Sequence, residues 1–128
     1  MKFLVLGFLA LLGLSLPANA ENTVQANRST VVYDVAVWHP HTCATFGKMR
    51  HKISAQPQHG RLDVRFEMSR AKNIPSRCEG KVRGMQVIYT PDRGYRGPDS
   101  FVVSVTTPRY EGDGSPIGRS LRAKFTVK

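Results

Sequence analysis

The chain has 128 residues, of which nineteen are Lys or Arg and nine are Asp or Glu, and its formal net charge is +10 at pH 7. This length predicts one small domain with a core of its own and excludes a second domain of ordinary size. The positive charge favours anionic partners, and twelve of the basic residues are arginines, whose planar guanidinium group suits phosphate, sulfate and carboxylate. A solvated basic surface that only keeps the protein soluble is the simpler alternative.

The first twenty residues have the pattern of a secretory signal. Lys2 supplies a positive charge, residues 3–16 form an apolar stretch, and Ala18-Asn19-Ala20 is a small-residue cleavage site. The apolar stretch is shorter than the roughly 20 residues with which a helix crosses a bilayer. We therefore expect cleavage after Ala20, no transmembrane segment after signal removal, and a periplasmic or secreted location.

The chain contains two cysteines, Cys43 and Cys78. In an oxidising exported compartment we expect them to form one intrachain disulfide. In the chain-entropy model, closing a loop of this length stabilises the fold by roughly 3–4 kcal/mol. The separation of the two residues matches no zinc-site spacing, so a thiolate metal site is the weaker alternative.

Apolar and polar residues alternate in several short runs along the remaining chain, which predicts β-strands. The predicted strands are residues 31–37, 46–55, 62–68, 85–89, 101–105 and 121–127, with a short edge strand near Val24. Residues 108–118 are rich in glycine and proline and predict a loop, and no segment has a helical pattern. Residues 21–128 therefore predict an all-β domain, a two-sheet antiparallel sandwich of six to seven strands.

Residues 89–101 predict a structured corner between two of these strands. Pro91 restricts its own φ angle, and Gly94 and Gly97 permit positive φ. Asp92 and Asp99 can accept hydrogen bonds from nearby backbone amides. The composition of this segment is typical of turns, so we expect the segment chiefly to stabilise the fold.

Two motifs follow each other in this part of the chain. They are Pro57-x-His59-Gly60-x-Leu62 and Tyr89-x-Pro91-x-x-Gly94-Tyr95-x-Gly97-x-Asp99-Ser100-Phe101. Together they resemble the repeat of bacterial immunoglobulin-like and cadherin-like domains in large surface adhesins, over about residues 53–128. The resemblance implies an immunoglobulin-like β-sandwich that serves as an exported, non-catalytic spacer or adhesion module of the cell envelope. Tyr95 is then a candidate packing residue.

Few residues suggest catalysis or a cofactor. The sequence has no catalytic serine or zinc-protease motif, so we expect no enzymatic activity and no cofactor. Carboxylates are few, and Thr107 stands where the resembled repeats often carry an Asp, so calcium is not expected. His39 and His41 lie in a loop near Cys43 and are weak candidates for a periplasmic metal site, against an ordinary polar loop.

Basic residues concentrate in the corner and in residues 69–83, a long loop without strand periodicity that Cys78 anchors in its middle. The candidate anion-binding residues in these two loops are Arg70, Lys72, Arg77, Lys81, Arg83, Arg93 and Arg96. We expect the two loops to form a surface for an anionic envelope polymer, such as lipopolysaccharide phosphate or acidic polysaccharide.

Two other kinds of partner, nucleic acid and an acidic protein, are alternatives to the envelope polymer. Nucleic acid is the weaker version of the same hypothesis, because no helix is predicted for a groove and most aromatic residues fall on inward strand positions. The alternative is a protein–protein interaction or adhesion module that docks an acidic partner. Salt distinguishes polymer binding, which counterion release makes salt-dependent, from an interface with an apolar centre.

Overall fold

The structure is a computed structural model that describes residues 22–45, 49–107 and 117–128. It contains seven strands: β1 (Thr23–Val24), β2 (Thr30–Val35), β3 (Arg50–Ala55), β4 (Gly60–Met68), β5 (Arg83–Pro91), β6 (Gly97–Thr107) and β7 (Ile117–Val127). A single 3-10 turn covers Ser76–Cys78. The predicted signal of residues 1–20 and most of the predicted loop of residues 108–118 lie outside the described residues.

The strands form two sheets. The four-stranded sheet has the order β1-β7-β6-β3, and the three-stranded sheet has the order β2-β5-β4. The all-β sandwich predicted from the sequence is confirmed. One pairing departs from the antiparallel expectation, because β1 runs parallel to β7. The chain then turns at Asn27, whose φ is 59°, and enters the other sheet as β2.

The core lies between the sheets and consists mainly of alternate residues of β5, β6 and β7. These residues are Met85, Val87, Tyr89, Phe101, Val103, Val105, Ala123, Phe125 and Val127. Three aromatic rings form its centre, and the Tyr89 and Phe125 ring centroids are 4.6 Å apart. The inward positions predicted from the alternation in these three strands are confirmed.

The other strands depart from simple alternation. In β2 the register shifts between Val31 and Tyr33, so Val31 is 49% exposed while Tyr33 packs against the core. The strand is also shorter than predicted, because β2 ends at Val35 rather than at residue 37. In β4 the predicted inward residues Phe66 and Met68 are 41% and 44% exposed, whereas Leu62 and Val64 of the same strand pack against the core.

The predicted disulfide between Cys43 and Cys78 is confirmed. Both cysteines are buried in a second, small apolar cluster with Ile74 and Val82. The long loop that contains Cys78 is shorter than predicted, because Arg83 belongs to β5 rather than to the loop. The cluster and the bridge hold the loops that follow β2 and β4.

The strands define two ends of the sandwich. At one end, which we call the corner end, Pro91 of β5 pairs with Gly60 of β4, and residues 92–96 cross to β6 in the other sheet. At the other, the disulfide end, Arg83 pairs with Met68 next to the loops of the disulfide. The two ends of β4 are about 27 Å apart, given the rise per residue of a strand.

Candidate anion-binding surfaces

Five of the predicted anion-binding residues lie at the disulfide end, and all five are exposed: Arg70, Lys72, Arg77, Lys81 and Arg83. The Arg77 guanidinium donates a hydrogen bond to the Pro40 carbonyl oxygen. The Arg83 guanidinium lies 6.0 Å from the centroid of the Phe66 ring. Two of the five cations thus support neighbouring loops or strands, and the other three are better placed to meet a ligand.

Arg93 and Arg96 lie at the corner end. They are exposed, and the length of the three-stranded sheet separates them from the cations of the disulfide end. The structure therefore does not join the two predicted loops into one surface. The reason is the topology: the corner follows the carboxyl end of β5, whereas the long loop precedes its amino end.

An open groove of about 740 Å³ lies beside the corner. Arg61, Arg93 and Asp92 are among the residues that line it. The Asn27 side-chain oxygen accepts a hydrogen bond from the Gly94 amide at 2.8 Å and fixes one wall. The carboxylate of Asp92 offsets part of the positive charge, so this groove is a weak anion site.

The centre of the corner is a buried carboxylate, Asp99. It accepts hydrogen bonds from the backbone amides of Gln58 (3.0 Å), His59 (3.1 Å) and Ser100 (2.8 Å), and from the Tyr89 hydroxyl at 2.6 Å. Burial alone raises the pKa of Asp99, but these hydrogen bonds outweigh it and hold the pKa below its usual value. Burial, with the hydrogen bond to Asp99, raises the pKa of Tyr89 well above its usual value.

The predicted role of Asp99 in accepting amide hydrogen bonds is therefore observed. The structure gives Asp92 a different role, because its backbone carbonyl, not its side chain, accepts a hydrogen bond from the Tyr95 amide. The Tyr95 ring stacks on His59 with centroids 4.0 Å apart. Gly97 has φ 140°, and a Cβ there would lie 3.0 Å from the Tyr95 hydroxyl oxygen. These contacts make the segment a fold-stabilising corner.

The predicted His loop has a defined geometry. The rings of His39 and His41 are 5.6 Å apart, and the Nδ1 atom of His39 faces the His41 amide at 3.3 Å. The sulfur of Cys43 is in the disulfide and is not a thiolate ligand. No group of three His, Cys, Asp or Glu side chains in the described ranges has the arrangement of a metal site.

The outer face of the four-stranded sheet carries a set of cations that the sequence did not place together. We call it the basic face: Arg50 and Lys52 on β3, and Arg122 and Lys124 on β7, all exposed. None of the outward positions described in β3, β6 and β7 is an Asp or a Glu. The basic face is thus a positively charged surface without an acidic neighbour on its own strands.

The register fixes the layout of the basic face. Lys52 pairs with Ser104 of β6, and Arg122 pairs with Val102 of the same strand, so β6 runs between the two pairs of cations. Strands in a sheet are about 4.8 Å apart, which places β3 and β7 about 10 Å apart. The four cations span about 20 Å along the strands, given a rise of about 3.4 Å per residue.

Small hydroxyl side chains occupy the strip between these cations. Ser100, Ser104 and Thr106 face outward from β6, and the Ser104 hydroxyl lies 2.5 Å from the Ser54 hydroxyl of β3. Hydroxyl groups both donate and accept hydrogen bonds. With Val102, which faces outward between Ser100 and Ser104, the strip is a surface of short side chains that leaves the flanking cations accessible.

The outer face of the three-stranded sheet is different because its charges are mixed. On β4, Arg65 forms an ion pair with Asp63 at 2.7 Å and approaches Glu67 at 3.9 Å. The Asp34 carboxylate of β2 accepts hydrogen bonds from the Ser69 hydroxyl and the Arg70 amide. The cations of this sheet face are offset by acids, and those of the basic face are not.

The sequence contained a signal for the basic face. Arg50 and Lys52 have the outward parity of one strand, and Arg122 and Lys124 have that of another about seventy positions later. What the sequence lacks is the strand order that brings the two strands to either side of β6.

A comparison with protein-family models, curated proteins and solved structures found no match. Within residues 22–45, 49–107 and 117–128, no helix is long and apolar enough to cross a membrane.

Proposed function

We propose that this protein is an exported, non-catalytic binding domain of the bacterial cell envelope that holds an anionic polymer against the basic face. The single observation that carries the proposal is the group of four exposed cations, Arg50, Lys52, Arg122 and Lys124, on strands without outward acids. The disulfide supports an oxidising compartment, where such bonds persist. The signal-like residues 1–20 support export.

The shape of the basic face favours a polymer over a compact ligand. The four cations lie on a sheet surface rather than in a pocket, and neighbouring cations of one strand are about 7 Å apart. A chain that repeats sulfate, phosphate or carboxylate groups can contact several of them at once. Guanidinium groups at two of the four positions can bind such oxygens in two-pronged fashion.

The loop cations of the disulfide end are a second contact region for the same polymer. Arg70, Lys72 and Lys81 are exposed, and Arg50 of the basic face lies at the same end, because it pairs with Thr106 near the end of β6. A long polymer can therefore continue from the basic face onto this loop. Arg93 and Arg96 at the corner end are not needed for this binding mode.

Heparin and polygalacturonate, one sulfated and one carboxylated, are suitable probes. Their affinities for the disulfide-bonded protein are measured by fluorescence anisotropy across a series of salt concentrations. In the test variant, four residues are changed to Gln: Arg50, Lys52, Arg122 and Lys124. In the matched control, which loses the same charge, four exposed arginines at the corner end are changed to Gln: Arg28, Arg61, Arg93 and Arg96.

We expect the test variant to bind both probes far more weakly and to reduce the slope of log K against log salt by about three, since each contacted charge contributes roughly 0.7–0.9. The control should retain most of the affinity. An equal loss in both variants shows that net charge rather than the basic face drives binding, and overturns the proposal. A weak salt dependence instead favours the acidic protein partner.

A further inference from the structure

The four edge strands of the sandwich differ in how they are protected. Edge strands expose unpaired backbone groups and recruit other strands unless they are short, bulged, or blocked by proline or by charged side chains, especially lysine. The edge strand β1 has two residues, and the pairing registers of β2 and β3 each shift once. In contrast, β4 has nine residues, contains no Lys or Pro, and pairs with β5 in one continuous register. Among the described strands, β4 is therefore the long edge with a continuous register, and its four charged side chains block every partner strand except one of complementary charge.

The outer side of β4 has an alternating charge pattern. Arg61, Asp63, Arg65 and Glu67 follow one another at every second position and are all exposed. The Asp63–Arg65 ion pair joins neighbours of the same strand and leaves oxygens of both acids accessible, since these side chains are about half exposed. From Arg61 to Glu67 the charges are positive, negative, positive and negative. From Glu67 back to Arg61 they are negative, positive, negative and positive, so the two directions are complementary.

The inner side of β4 has an uncovered apolar end. Leu62 and Val64 pack against the core, but Phe66 and Met68 are 41% and 44% exposed. Exposed apolar side chains beside an unpaired strand edge favour association with another strand. The same strand thus combines a free edge, uncovered apolar surface and an ordered charge pattern.

The backbone of β4 is arranged for a further strand. The Asp92 amide donates to the His59 carbonyl oxygen, and antiparallel pairs alternate between bonded and non-bonded residues. Because the register with β5 is continuous, the odd-numbered residues of β4 bond to β5. Leu62, Val64 and Phe66 therefore direct their amide and carbonyl groups to the free edge.

From these observations we propose that two copies of this protein form a homodimer by antiparallel pairing of β4 with β4, around a two-fold axis at Val64. In this register Arg61 lies opposite Glu67 of the other copy, and Asp63 lies opposite its Arg65. By symmetry each pairing occurs twice. On the inner side Phe66 lies opposite Leu62 of the other copy, which covers part of its exposed ring.

The charges select this register over its neighbours. An axis at Asp63 places Asp63 opposite itself and Arg61 opposite Arg65. An axis at Arg65 places Arg65 opposite itself and Asp63 opposite Glu67. Like charges directly opposite each other destabilise a strand pair. Only the axis at Val64 places all four charged residues of β4 opposite a residue of opposite charge.

The dimer joins the two three-stranded sheets into one sheet of six strands. A two-fold axis perpendicular to that sheet keeps both four-stranded sheets on the same side of it. A consequence, which rests on the proposed function, is that the two basic faces point in the same direction and can contact one polymer together. The dimer itself is independent of that function and is tested without a polymer.

Sedimentation equilibrium of the disulfide-bonded protein, at concentrations up to about 1 mM, measures the dimer dissociation constant directly. The variants are Arg61→Glu, Glu67→Arg and the double variant that combines them. Arg93→Glu and Asp92→Arg are matched controls, because they change the charge equally but lie in the corner. Far-UV circular dichroism verifies that each variant keeps its strands.

We expect each single variant to raise the dissociation constant by about tenfold or more, because it places like charges opposite each other twice per dimer. The double variant restores the opposite-charge pairs across the axis, and its dissociation constant should return to within about threefold of the parent. The controls should dimerise like the parent.

Three results overturn the proposal. The first is a parent protein that stays monomeric at about 1 mM. The second is single variants that dimerise as well as the parent, which shows that another surface associates. The third is a double variant as weak as the single ones. Arg61 and Glu67 lie six positions apart on one strand, too far for a contact within one chain, so restoration identifies pairing between copies.

Discussion

The two ends of the sandwich are stabilised by different means. At the corner end, the buried Asp99 carboxylate accepts four hydrogen bonds from two neighbouring segments and from Tyr89. At the disulfide end, a covalent bond between Cys43 and Cys78 joins two loops above a small apolar cluster. The corner is short, so a few hydrogen bonds order it. The loops at the other end are longer, so ordering them costs more conformational entropy, and the disulfide lowers that cost by restricting the unfolded chain.

The two ends also differ in whether their charged groups are used within the fold. The acid of the corner is buried and its hydrogen-bonding capacity is used within the fold. Three cations of the disulfide end, Arg70, Lys72 and Lys81, are exposed in the loop that the disulfide anchors. Stabilisation by a covalent bond thus leaves side chains available for a ligand.

The largest effect is expected at the disulfide end. Replacing both Cys43 and Cys78 by Ala should lower the free energy of unfolding by about 3–4 kcal/mol, because the unfolded chain regains the entropy of the open loop. Urea unfolding followed by circular dichroism measures the change. Reducing the parent protein under the same conditions is the control and should give a similar loss. A loss under about 1 kcal/mol shows that the small cluster orders the loops by itself.

At the corner end, Asp99→Ala should lower the free energy of unfolding by about 2–3 kcal/mol, because it leaves buried donors without an acceptor. Tyr89→Phe removes one of the four hydrogen bonds and should cost about 1.5–2 kcal/mol. In the double variant the two losses should not add, since both act on the same hydrogen bond. Full additivity contradicts the network seen in the structure.

A smaller effect is expected for Tyr95→Ala, about 1–2 kcal/mol, from the loss of the stacking on His59 and the hydrogen bond to the Pro98 carbonyl oxygen. Arg96→Ala, next to it and exposed, is the control and should change stability by less than about 0.5 kcal/mol. Thermal unfolding measures both. If Tyr95→Ala kept its melting temperature but lost polymer binding, the corner would be a binding site rather than a structural element.

The pH dependence of stability distinguishes the two ends further. The pKa of Asp99 is lower in the folded protein than in the unfolded chain, so the unfolded chain takes up a proton first as the pH falls. The stabilisation is therefore complete above the ordinary Asp pKa, and it is lost as the pH falls below about 4. Melting temperatures of the parent and of Asp99→Asn should converge in this range. Reduction of the disulfide should leave that convergence unchanged.

Much of the fold was predictable because the relevant interactions are local. The alternation of residues 85–89, 101–105 and 121–127 placed the core of β5, β6 and β7 correctly. Departures occurred in edge strands. A bulge in the pairing of β2 with β5 exposes Val31, and Phe66 on the edge strand β4 is exposed although it pairs with the core residue Met85. Both depend on how a strand is paired and covered by other strands, which its own alternation does not encode.

The candidate sites were less predictable. The sequence identified the loop cations individually, but Arg93 and Arg70 lie at opposite ends because β5 separates their loops. It also assigned Arg50 and Lys124 an outward direction without indicating that they share a face. Which strands become neighbours depends on contacts between residues far apart in the chain, and no local pattern reports them.

The sequence by itself determined the strands of the core, the turn chemistry of the corner and the pairing of Cys43 with Cys78. These follow from side-chain parity, from the φ preferences of glycine and proline, and from the presence of two cysteines. The tertiary structure alone decided that β6 lies between β3 and β7, that Asp99 bridges two segments, and that β4 is an open edge. The physical reason is that charge and hydrogen-bonding capacity become a surface or a network only when strand order brings distant residues together.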